Sequence, residues 1–403
     1  EFLTKEKIPV NNVSKHHHPI LEYFFNASNE IGIKKNTNLT TSIENQVGHY
    51  NINTYNGTRH SSSKVFLKPV IKNPRLTILD NTQVKNLIIK DKKITGIKIQ
   101  NKSIEQIIQL SHGAILCSGS IMTPYLLMHS GIGDKEHLKK FDKEIVIDNS
   151  NVGRNLQDHL GLDYLFKTHH HSLNKSLGTW PGRITSVLKY IYNRKGPLSL
   201  SINQSGGYVN WNSKHHYPNL QIYFNPLTYS ITHKNKRPLL KTDKFNGFII
   251  GYNSCRPKSL GRVALNSPNF EDAPLIDPNF LSHEEDIYDV KCAINFSQVL
   301  ANTNSIKKIR NESVKHDLLN ATEEEMIDHF KSNAVSIYHP CGTCKMDEDP
   351  KKGVVSERLK VHGMQNLWIA DASVFPNITS GNINAPVMML ANLGSKFIIE
   401  DLN

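Results

Sequence analysis

Short apolar runs between turn residues predict a sheet in the first part of the chain. The runs are rich in β-branched residues and are separated by Asn, Asp and Pro, which is typical of strands and their turns. They cover residues 64–70, 76–79, 84–89 and 93–99. Residues 1–40 are polar with few apolar periods, and we expect them to be a loosely ordered lead-in, with order beginning near Gly48.

The segment that follows has the pattern of a strand, a glycine turn and a helix. Gly113–Cys117 is a strand of small and apolar residues suited to burial on both faces, and Gly119 lies in the turn after it. Pro124 is expected to open the helix, because its fixed φ suits a first helical turn. The helix is expected to stop at Gly131, where a left-handed conformation is favoured.

The C-terminal segment repeats this order. A buried strand is predicted from Asn366 to Asp371, followed by a turn rich in Pro, Gly and Asn and by an apolar helix over residues 386–399. In open α/β sheets, ligands gather beyond the carboxyl ends of the strands. We therefore expect Asp371 and the turn after it to lie beside a cofactor.

The middle of the chain alternates aromatic-rich strands with loops, and helices follow. Strands are predicted at residues 221–224, 248–252 and 262–265. Apolar residues recur at helical spacing over residues 287–300, and Thr322–Glu325 has the sequence of a capping box. The whole pattern predicts a mixed α/β fold, with helices beside a sheet that is antiparallel in the middle region.

The size and composition of the chain are those of a folded globular protein. It has 403 residues, of which 38% are hydrophobic and 21% charged, a length that corresponds to about two or three domains. The formal charge of +12 would by itself suit a nucleic-acid binder. We reject that function because the lysines are scattered in short groups without a basic helix. No apolar run approaches the roughly 18 residues that span a bilayer.

The cysteines and histidine clusters predict no metal site. Five cysteines are too few, and odd in number, for a disulfide framework. The spacing Cys341-x-x-Cys344 could suit a redox dithiol or half of a zinc site. No second such pair occurs, so two small buried residues in a turn is the simpler interpretation. His16–His18 and His169–His171 are interpreted as solvated loops.

Sequons bear on the location of the protein. Those that begin at Asn12, Asn56 and Asn377 are examples, and they would accept glycans in a secreted protein. On this ground we expect an extracellular location.

The densest group of polar residues surrounds His339. It runs from Tyr338 to Met346, with a proline directly after the histidine and a Gly-Thr turn beyond. These residues restrict the backbone on the C-terminal side of His339 and would fix the direction of its side chain. An imidazole that titrates near neutrality is the commonest general base. His339 is therefore the first candidate for a catalytic residue.

Four blocks of sequence resemble the glucose–methanol–choline (GMC) flavin oxidoreductase family, and within it the insect glucose-dehydrogenase-like members. The blocks are residues 57–69, residues 119–133 with their continuation Val152–His159, the His339 block, and residues 370–386. The resemblance implies an FAD-dependent oxidation of an alcohol or sugar hydroxyl, a CH–OH donor, with a small-molecule substrate and no nucleic acid.

The resemblance also implies two catalytic residues. His339 matches the histidine that takes the hydroxyl proton while hydride passes to the flavin N5. Asn382 matches the second member of the pair, which hydrogen-bonds the substrate oxygen. The flavin supplies the redox chemistry, so the protein need only provide a base, an anchor for the oxygen and orientation.

Five further residues match cofactor-binding positions. Val84 matches a residue whose backbone meets the adenine end of FAD. Asp371 and Ala372 match the pyrophosphate and ribityl region, and Asn384 and Pro386 match residues that line the flavin ring.

The chain departs from the family at the nucleotide turn. Family members place the FAD pyrophosphate on a Gly-x-Gly-x-x-Gly turn, which occurs nowhere in the 403 residues. We therefore expect a fragment without that N-terminal segment. The expected domains are a truncated FAD/NAD(P)-binding-like domain at 1–165, a substrate-binding domain at 166–345 and a return to the FAD-binding domain at 346–403.

This departure leaves a second function open. The alternative is a non-catalytic fragment or pseudoenzyme that no longer binds FAD and serves as a binding or structural protein. Bound flavin distinguishes the two, since the enzyme is yellow and its alternative is colourless.

Overall fold

The computed structural model describes residues 8–39, 44–213, 215–234, 237–314 and 316–403. Over these residues it is a mixed α/β structure, which confirms the predicted fold class. The chain divides into two compact units, each made of three sequence segments.

The strands are β1 (Lys34–Lys35), β2 (Gln46–His49), β3 (Thr54–Tyr55), β4 (Thr58–Arg59), β5 (Thr82–Lys90), β6 (Lys93–Asn101), β7 (Ile104–Gln109), β8 (Ala114–Leu116), β9 (Ile132–Gly133), β10 (Ile147–Asp148), β11 (Leu160–Lys167), β12 (Ser205–Val209), β13 (Leu220–Asn225), β14 (Tyr229–Lys234), β15 (Arg237–Thr242), β16 (Gly247–Ser254), β17 (Arg262–Ala264), β18 (Leu275–Asp277), β19 (Ser313–Val314), β20 (Val335–Ser336) and β21 (Leu367–Ile369). The α-helices are α1 (Leu21–Glu30), α2 (Gly119–His129), α3 (Lys135–Lys139), α4 (Leu173–Gly178), α5 (Trp180–Asn193), α6 (Glu284–Ala301), α7 (Asn304–Ile309), α8 (Glu323–Asn333) and α9 (Asn384–Leu402).

The first unit comprises Glu1–Lys72, Leu160–Cys255 and Ile287–Val335. Its sheet runs in the order β1-β2-β12-β13-β16-β11-β19, with antiparallel neighbours except for the parallel pair β1 and β2. Aromatic side chains stack across neighbouring strands. The ring centroids of Phe166 and Phe248 are 5.4 Å apart and those of Phe224 and Phe248 are 5.1 Å apart.

The expectation that the N-terminal segment is loosely ordered is wrong for the residues of it that the structure describes. Helix α1 buries Leu21, Phe24 and Phe25, which lie on one helical face at the spacing i, i+3 and i+4. Phe24 stacks on Phe224 with the ring centroids 5.2 Å apart. These three residues supply the apolar face that the polar composition of the segment conceals.

The two histidine triplets differ in their surroundings. His169–His171 is exposed, as expected. His17 is only partly exposed, and its Nδ1 lies 2.7 Å from Nδ1 of His49. Burial and the neighbouring histidines lower the pKa of His17 to about 4. The interpretation as a solvated loop is therefore wrong for His17.

Two of the four strands predicted in the first part of the chain do not form. Residues 63–67 form a π-type turn and 68–70 a 3₁₀ turn, because Pro69 lacks the backbone donor that a strand ladder needs. Residues 76–79 form no regular element. The other two predictions are confirmed, since β5 and β6 form an antiparallel hairpin with β7 beside it.

The second unit comprises Asn73–His159, Arg256–Asp286 and Ser336–Asn403. It contains the sheet β5-β6-β7, the parallel pairs β8·β21 and β9·β10, and the hairpin β17·β18. Helix α2 supplies its central apolar side chains, among them the fully buried Tyr125 and Leu127. The unit therefore joins early, middle and late parts of the chain in one core.

Helix α2 starts earlier than expected, at Gly119, so that Pro124 lies inside it. A proline in a helix leaves the carbonyl four residues earlier without its usual donor. That carbonyl belongs to Ser120, and it accepts a hydrogen bond of 2.6 Å from the hydroxyl of buried Thr343. The expected helix end is confirmed, with Gly131 at a φ of +82°.

Strand β8 is not buried on both faces as expected. Ile115 is 50% exposed although Leu116 beside it is buried. Within the described residues β8 pairs only with β21, so it is an edge strand.

The compact units have other boundaries than the domains expected from the sequence. Residues 336–345, expected in the substrate-binding domain, belong to the second unit, where Cys341 and Gln157 exchange backbone hydrogen bonds of 2.9 and 3.0 Å. The assignment of functions to domains stays a prediction.

Candidate active site

The second unit brings His339 and Asn382 together. Asn382 Nδ2 lies 3.1 Å from His339 Nε2, although the two residues are far apart in the sequence. Asn382 is exposed in the turn before α9, whereas His339 is buried. The pair thus has one group at the surface and one behind it.

The other ring nitrogen of His339 contacts a second histidine. Nδ1 of His339 lies 3.0 Å from Nδ1 of His159, and the two rings meet edge to face at 82°. His159 is fully buried, with 0% of its surface exposed. For a hydrogen bond between these atoms, one Nδ1 must carry the proton and the other must accept it.

Asp158 holds the backbone of His339 in place. Its carboxylate accepts a hydrogen bond of 2.8 Å from the His339 backbone N–H and another from the Ser336 hydroxyl. Between them, Tyr338 has a φ of +64°, a strained value for a bulky residue. Burial raises the pKa of Asp158, while these hydrogen bonds oppose the rise. The carboxylate therefore fixes the turn that presents His339.

The turn after His339 is held on both sides. The Gly342 N–H donates to the Ala372 carbonyl at 3.1 Å, and the Cys344 N–H donates to Ser373 at 2.7 Å. Gly342 has a φ of +88°, and a Cβ on it would come within 2.5 Å of the Asn155 carbonyl oxygen. Glycine is required at this position because of both restrictions.

Cys341 and Cys344 are buried free thiols, as the simpler interpretation of their spacing predicts. Burial raises the pKa of Cys341 to about 12 and raises that of Cys344 well above its ordinary value. Both are thus protonated at neutral pH, which does not suit a redox nucleophile. The part of the chain that the structure describes contains no cluster of His, Cys, Asp or Glu that could hold a metal ion.

Burial lowers the pKa of His339. The ring is therefore mostly neutral at neutral pH and has a lone pair available for a proton. A neutral imidazole with one nitrogen against a polar partner and the other beside an exposed amide can act as a general base.

Asp371 and Ala372 follow β21 and join the site to α2. The Asp371 carboxylate accepts hydrogen bonds from Gly119 N–H at 2.9 Å, the Thr123 hydroxyl at 2.6 Å and Ser373 N–H at 2.8 Å. Both of its oxygens are thus engaged by the protein, so the residue shapes the turn.

The other expected cofactor residues lie in two places. Asn384 and Pro386 are in the first turn of α9, two and four residues after Asn382. Val84 is on β5 opposite Ile99 and packs against the apolar core of the second unit. The expected role of Val84 at the adenine end stays a prediction.

Two family models, both described as GMC oxidoreductase, match residues 3–161 and 257–391. The chain belongs to the GMC oxidoreductase family. An alcohol dehydrogenase (acceptor) of Pseudomonas putida is 32% identical over 388 residues, which are 96% of this chain and 69% of that protein. An oxygen-dependent choline dehydrogenase of Cronobacter sakazakii is 29% identical over 84% of this chain and 59% of its own length.

Solved structures share the fold of this GMC oxidoreductase. Pyridoxine 4-oxidase from Mesorbium loti superimposes with a TM-score of 0.80 at 23% identity, covering 98% of this chain and 71% of that chain. A variant of the formate oxidase of Aspergillus oryzae gives a TM-score of 0.88 at 24% identity, covering 98% of this chain and 73% of that chain. The expected family is confirmed, and with it the class of FAD-dependent oxidoreductases.

Two features of the described structure suit FAD. The first turn of α9 has no side-chain cap, so its N–H groups can face a negatively charged group. Gly119 has a φ of +78°, and no atom lies within 4 Å of the place its Cβ would occupy, which allows a ligand to approach the backbone closely. The residues at these two turns therefore fit the cofactor.

Asp158 and His159 are the functional residues that the sequence alone does not reveal. Both lie in the block Val152–His159 that resembles the family, but nothing in the order of residues indicates that they contact His339. The signal that would have indicated them is the pairing of an acid and a histidine directly before a strand.

Proposed function

We propose that this GMC oxidoreductase oxidises a small alcohol or sugar hydroxyl with His339 as the general base. The observation that carries the proposal is the position of His339 Nε2, 3.1 Å from the Asn382 amide and opposite the nitrogen that contacts His159. The related alcohol and choline dehydrogenases support a CH–OH donor as substrate.

In the proposed mechanism the substrate hydroxyl enters between Asn382 and His339. The Asn382 amide donates a hydrogen bond to the substrate oxygen, and His339 Nε2 takes the hydroxyl proton. The hydrogen bond between the Nδ1 atoms of His339 and His159 fixes the ring plane during this transfer. The redox chemistry, which is acceptance of the hydride from the carbinol carbon, would be supplied by FAD when it is bound.

We propose that the residues matching the family hold the cofactor. Asn384 and Pro386, at the start of α9, would face the flavin ring, and Ala372 with its neighbouring turn would face the ribityl and pyrophosphate part. Because both Asp371 oxygens accept hydrogen bonds within the protein, Asp371 would act by shaping this turn. Val84 would meet the adenine end through its backbone.

The experiment is a spectroscopic titration of the purified protein with FAD, followed by anaerobic mixing with a panel of primary alcohols, choline and sugars. We expect a yellow protein whose flavin absorbance bleaches with at least one CH–OH donor. A protein that stays colourless after reconstitution with FAD would favour the alternative, a non-catalytic binding or structural protein.

Three finer expectations also stay predictions. They are the likeness to insect glucose dehydrogenases, the missing segment with the nucleotide turn, and the extracellular location. The sequon residues Asn12, Asn56 and Asn377 are all exposed, which supports the third. A glycosidase-dependent mobility shift of the protein from its natural source tests it.

A further inference from the structure

Helix α5 of the first unit presents its apolar face to solvent. Its exposed apolar residues are spaced i, i+4, i+7, i+8 and i+11, which places them in one stripe along the helix: Trp180, Ile184, Val187, Leu188 and Ile191. Trp180 is 76% exposed and Ile191 is 68% exposed. We call this set the α5 stripe.

The opposite face of α5 is the one that packs inward. Ser186 is the helix residue that is buried, and its hydroxyl bonds the Ser176 carbonyl. A Cβ on Gly182 would come within 2.3 Å of the Lys175 carbonyl oxygen, so a small residue is required for this contact. An ordinary surface helix buries its apolar face and exposes its polar one. In α5 the arrangement is inverted, because its apolar residues are exposed and its buried residue is polar.

The surroundings of the α5 stripe carry one sign of charge. Between Asp163 and Asp243 the sequence contains eleven Lys or Arg residues and no Asp or Glu. Arg183 lies on one flank of the stripe, and Arg194 and Lys195 follow its C-terminal end. The segment that contains α5 is therefore basic, although the helix itself carries only Arg183 and Lys189.

We propose that the α5 stripe docks on the surface of an anionic lipid bilayer. An amphipathic helix with bulky apolar residues on one face and Lys and Arg around it lies in the plane of the interface, with the apolar face at the boundary of headgroups and acyl chains. The cations attract anionic headgroups. Trp180 and Tyr192, at the two ends of the helix, are amphipathic rings that favour the headgroup level.

The charge pattern favours a bilayer over a second copy of this chain. A symmetric contact between two α5 stripes would bring Arg183, Arg194 and Lys195 of both copies together, and like charges at an interface oppose association. An anionic surface instead satisfies the apolar and the basic parts at once. Among the described residues no helix is long and apolar enough to cross a membrane, so the proposed contact is peripheral.

The test is co-sedimentation of the full chain with vesicles of phosphatidylcholine alone or with about a third phosphatidylserine. We expect binding to the anionic vesicles that falls steeply at about 1 M salt, where the Debye length is about 3 Å. Trp180 should also give a blue-shifted emission on binding, which Trp180→Phe removes.

Two pairs of variants separate the apolar and basic contributions. Leu188→Asn with Ile191→Asn should lower the partition coefficient more than about tenfold, whereas Thr185→Asn on the same helix should leave it unchanged. Arg194→Gln with Lys195→Gln should lower it about fivefold per cation, whereas Lys90→Gln with Lys102→Gln in the second unit should not. Because the substituted side chains are exposed, circular dichroism should show intact folding.

Three results would overturn the proposal. They are the absence of binding to anionic vesicles, equal binding to both vesicle types that the variants leave unchanged, and a dimer in lipid-free solution that Leu188→Asn with Ile191→Asn dissociates. The last would assign the α5 stripe to self-association. None of these measurements depends on turnover, so they are independent of the proposed oxidation.

Discussion

Nδ1 of His159 lies 3.0 Å from Nδ1 of His339, and the two residues are 180 positions apart in the chain. Since two like ring nitrogens share one proton, the contact ties the tautomer of one histidine to that of the other. If His339 Nδ1 donates, its Nε2 is the unprotonated nitrogen that faces Asn382. His159 thus acts as a positioning residue for the proposed base.

The first prediction concerns His159. His159→Leu leaves the buried Nδ1 of His339 without its partner, which costs about 1–3 kcal/mol, so we expect kcat to fall about tenfold or more. His159→Gln keeps a polar group near Nδ1 and should restore part of the activity. Steady-state kinetics with the most active alcohol give kcat and KM separately. His362→Leu, at a part-buried histidine that contacts Asp347, is the control. Equal losses in the Leu and Gln variants would indicate a packing role alone.

The second prediction concerns pH. Burial lowers the pKa of His339 below its ordinary value of 6.5, so the neutral base is already present at neutral pH. We expect kcat/KM to be level above neutrality and to fall only below pH 6.5. Stability changes in the same direction: the unfolded chain binds the proton more readily, so the free energy of unfolding declines as the pH drops below 6.5. A kcat/KM midpoint above 6.5 contradicts this assignment.

Elements with strong local signals are predictable from the sequence. The β-branched runs of β5 and β6 and the capping box of Thr322 and Glu325 are confirmed. The start of α2 is not predictable, because a proline inside a helix is tolerated here by a hydroxyl 223 positions away, on Thr343. Local preference favours Pro124 at the first turn, and a long-range contact overrides it.

The third prediction tests that contact. Thr343→Val removes the donor to the buried Ser120 carbonyl, and we expect the free energy of unfolding to fall by about 1–3 kcal/mol. In a Pro124→Ala background the new backbone N–H can bond the same carbonyl, so the loss should be smaller by about 1 kcal/mol. Urea unfolding of the unaltered protein, the two single variants and the double variant gives the coupling free energy between the two positions. Additive losses would show that Thr343 does not compensate for the proline.

The fourth prediction concerns Asp371. Asp371→Asn replaces one accepting oxygen with a donor, so at least one of the hydrogen bonds from Gly119, Thr123 and Ser373 is lost. We expect a loss of stability of about 1–3 kcal/mol and weaker FAD binding by about tenfold. Flavin fluorescence titration measures the affinity, with Asp142→Asn at an exposed position as the control. Unchanged affinity in a destabilised variant would mean that the turn does not contact FAD.

The candidate site is only partly predictable from the sequence, because, like the start of α2, it depends on contacts between distant segments. His339 and Asn382 are recognisable from their blocks of sequence, and the structure brings them within 3.1 Å. Asp158 and His159 act on His339 through contacts that form only when the segment after Ser336 folds against them. Sequence spacing carries no information on such contacts, because they join segments that are distant along the chain.

The most direct test of the proposed function is the rate of flavin reduction by an alcohol in single-turnover mixing, compared between the unaltered protein and His339→Ala. We expect equal flavin content, because His339 faces the substrate side, and a rate lower by about 10² or more in the variant. His362→Ala should reduce flavin at the unaltered rate. An equal rate in His339→Ala, with the same flavin content, would contradict the assignment of His339 as the base.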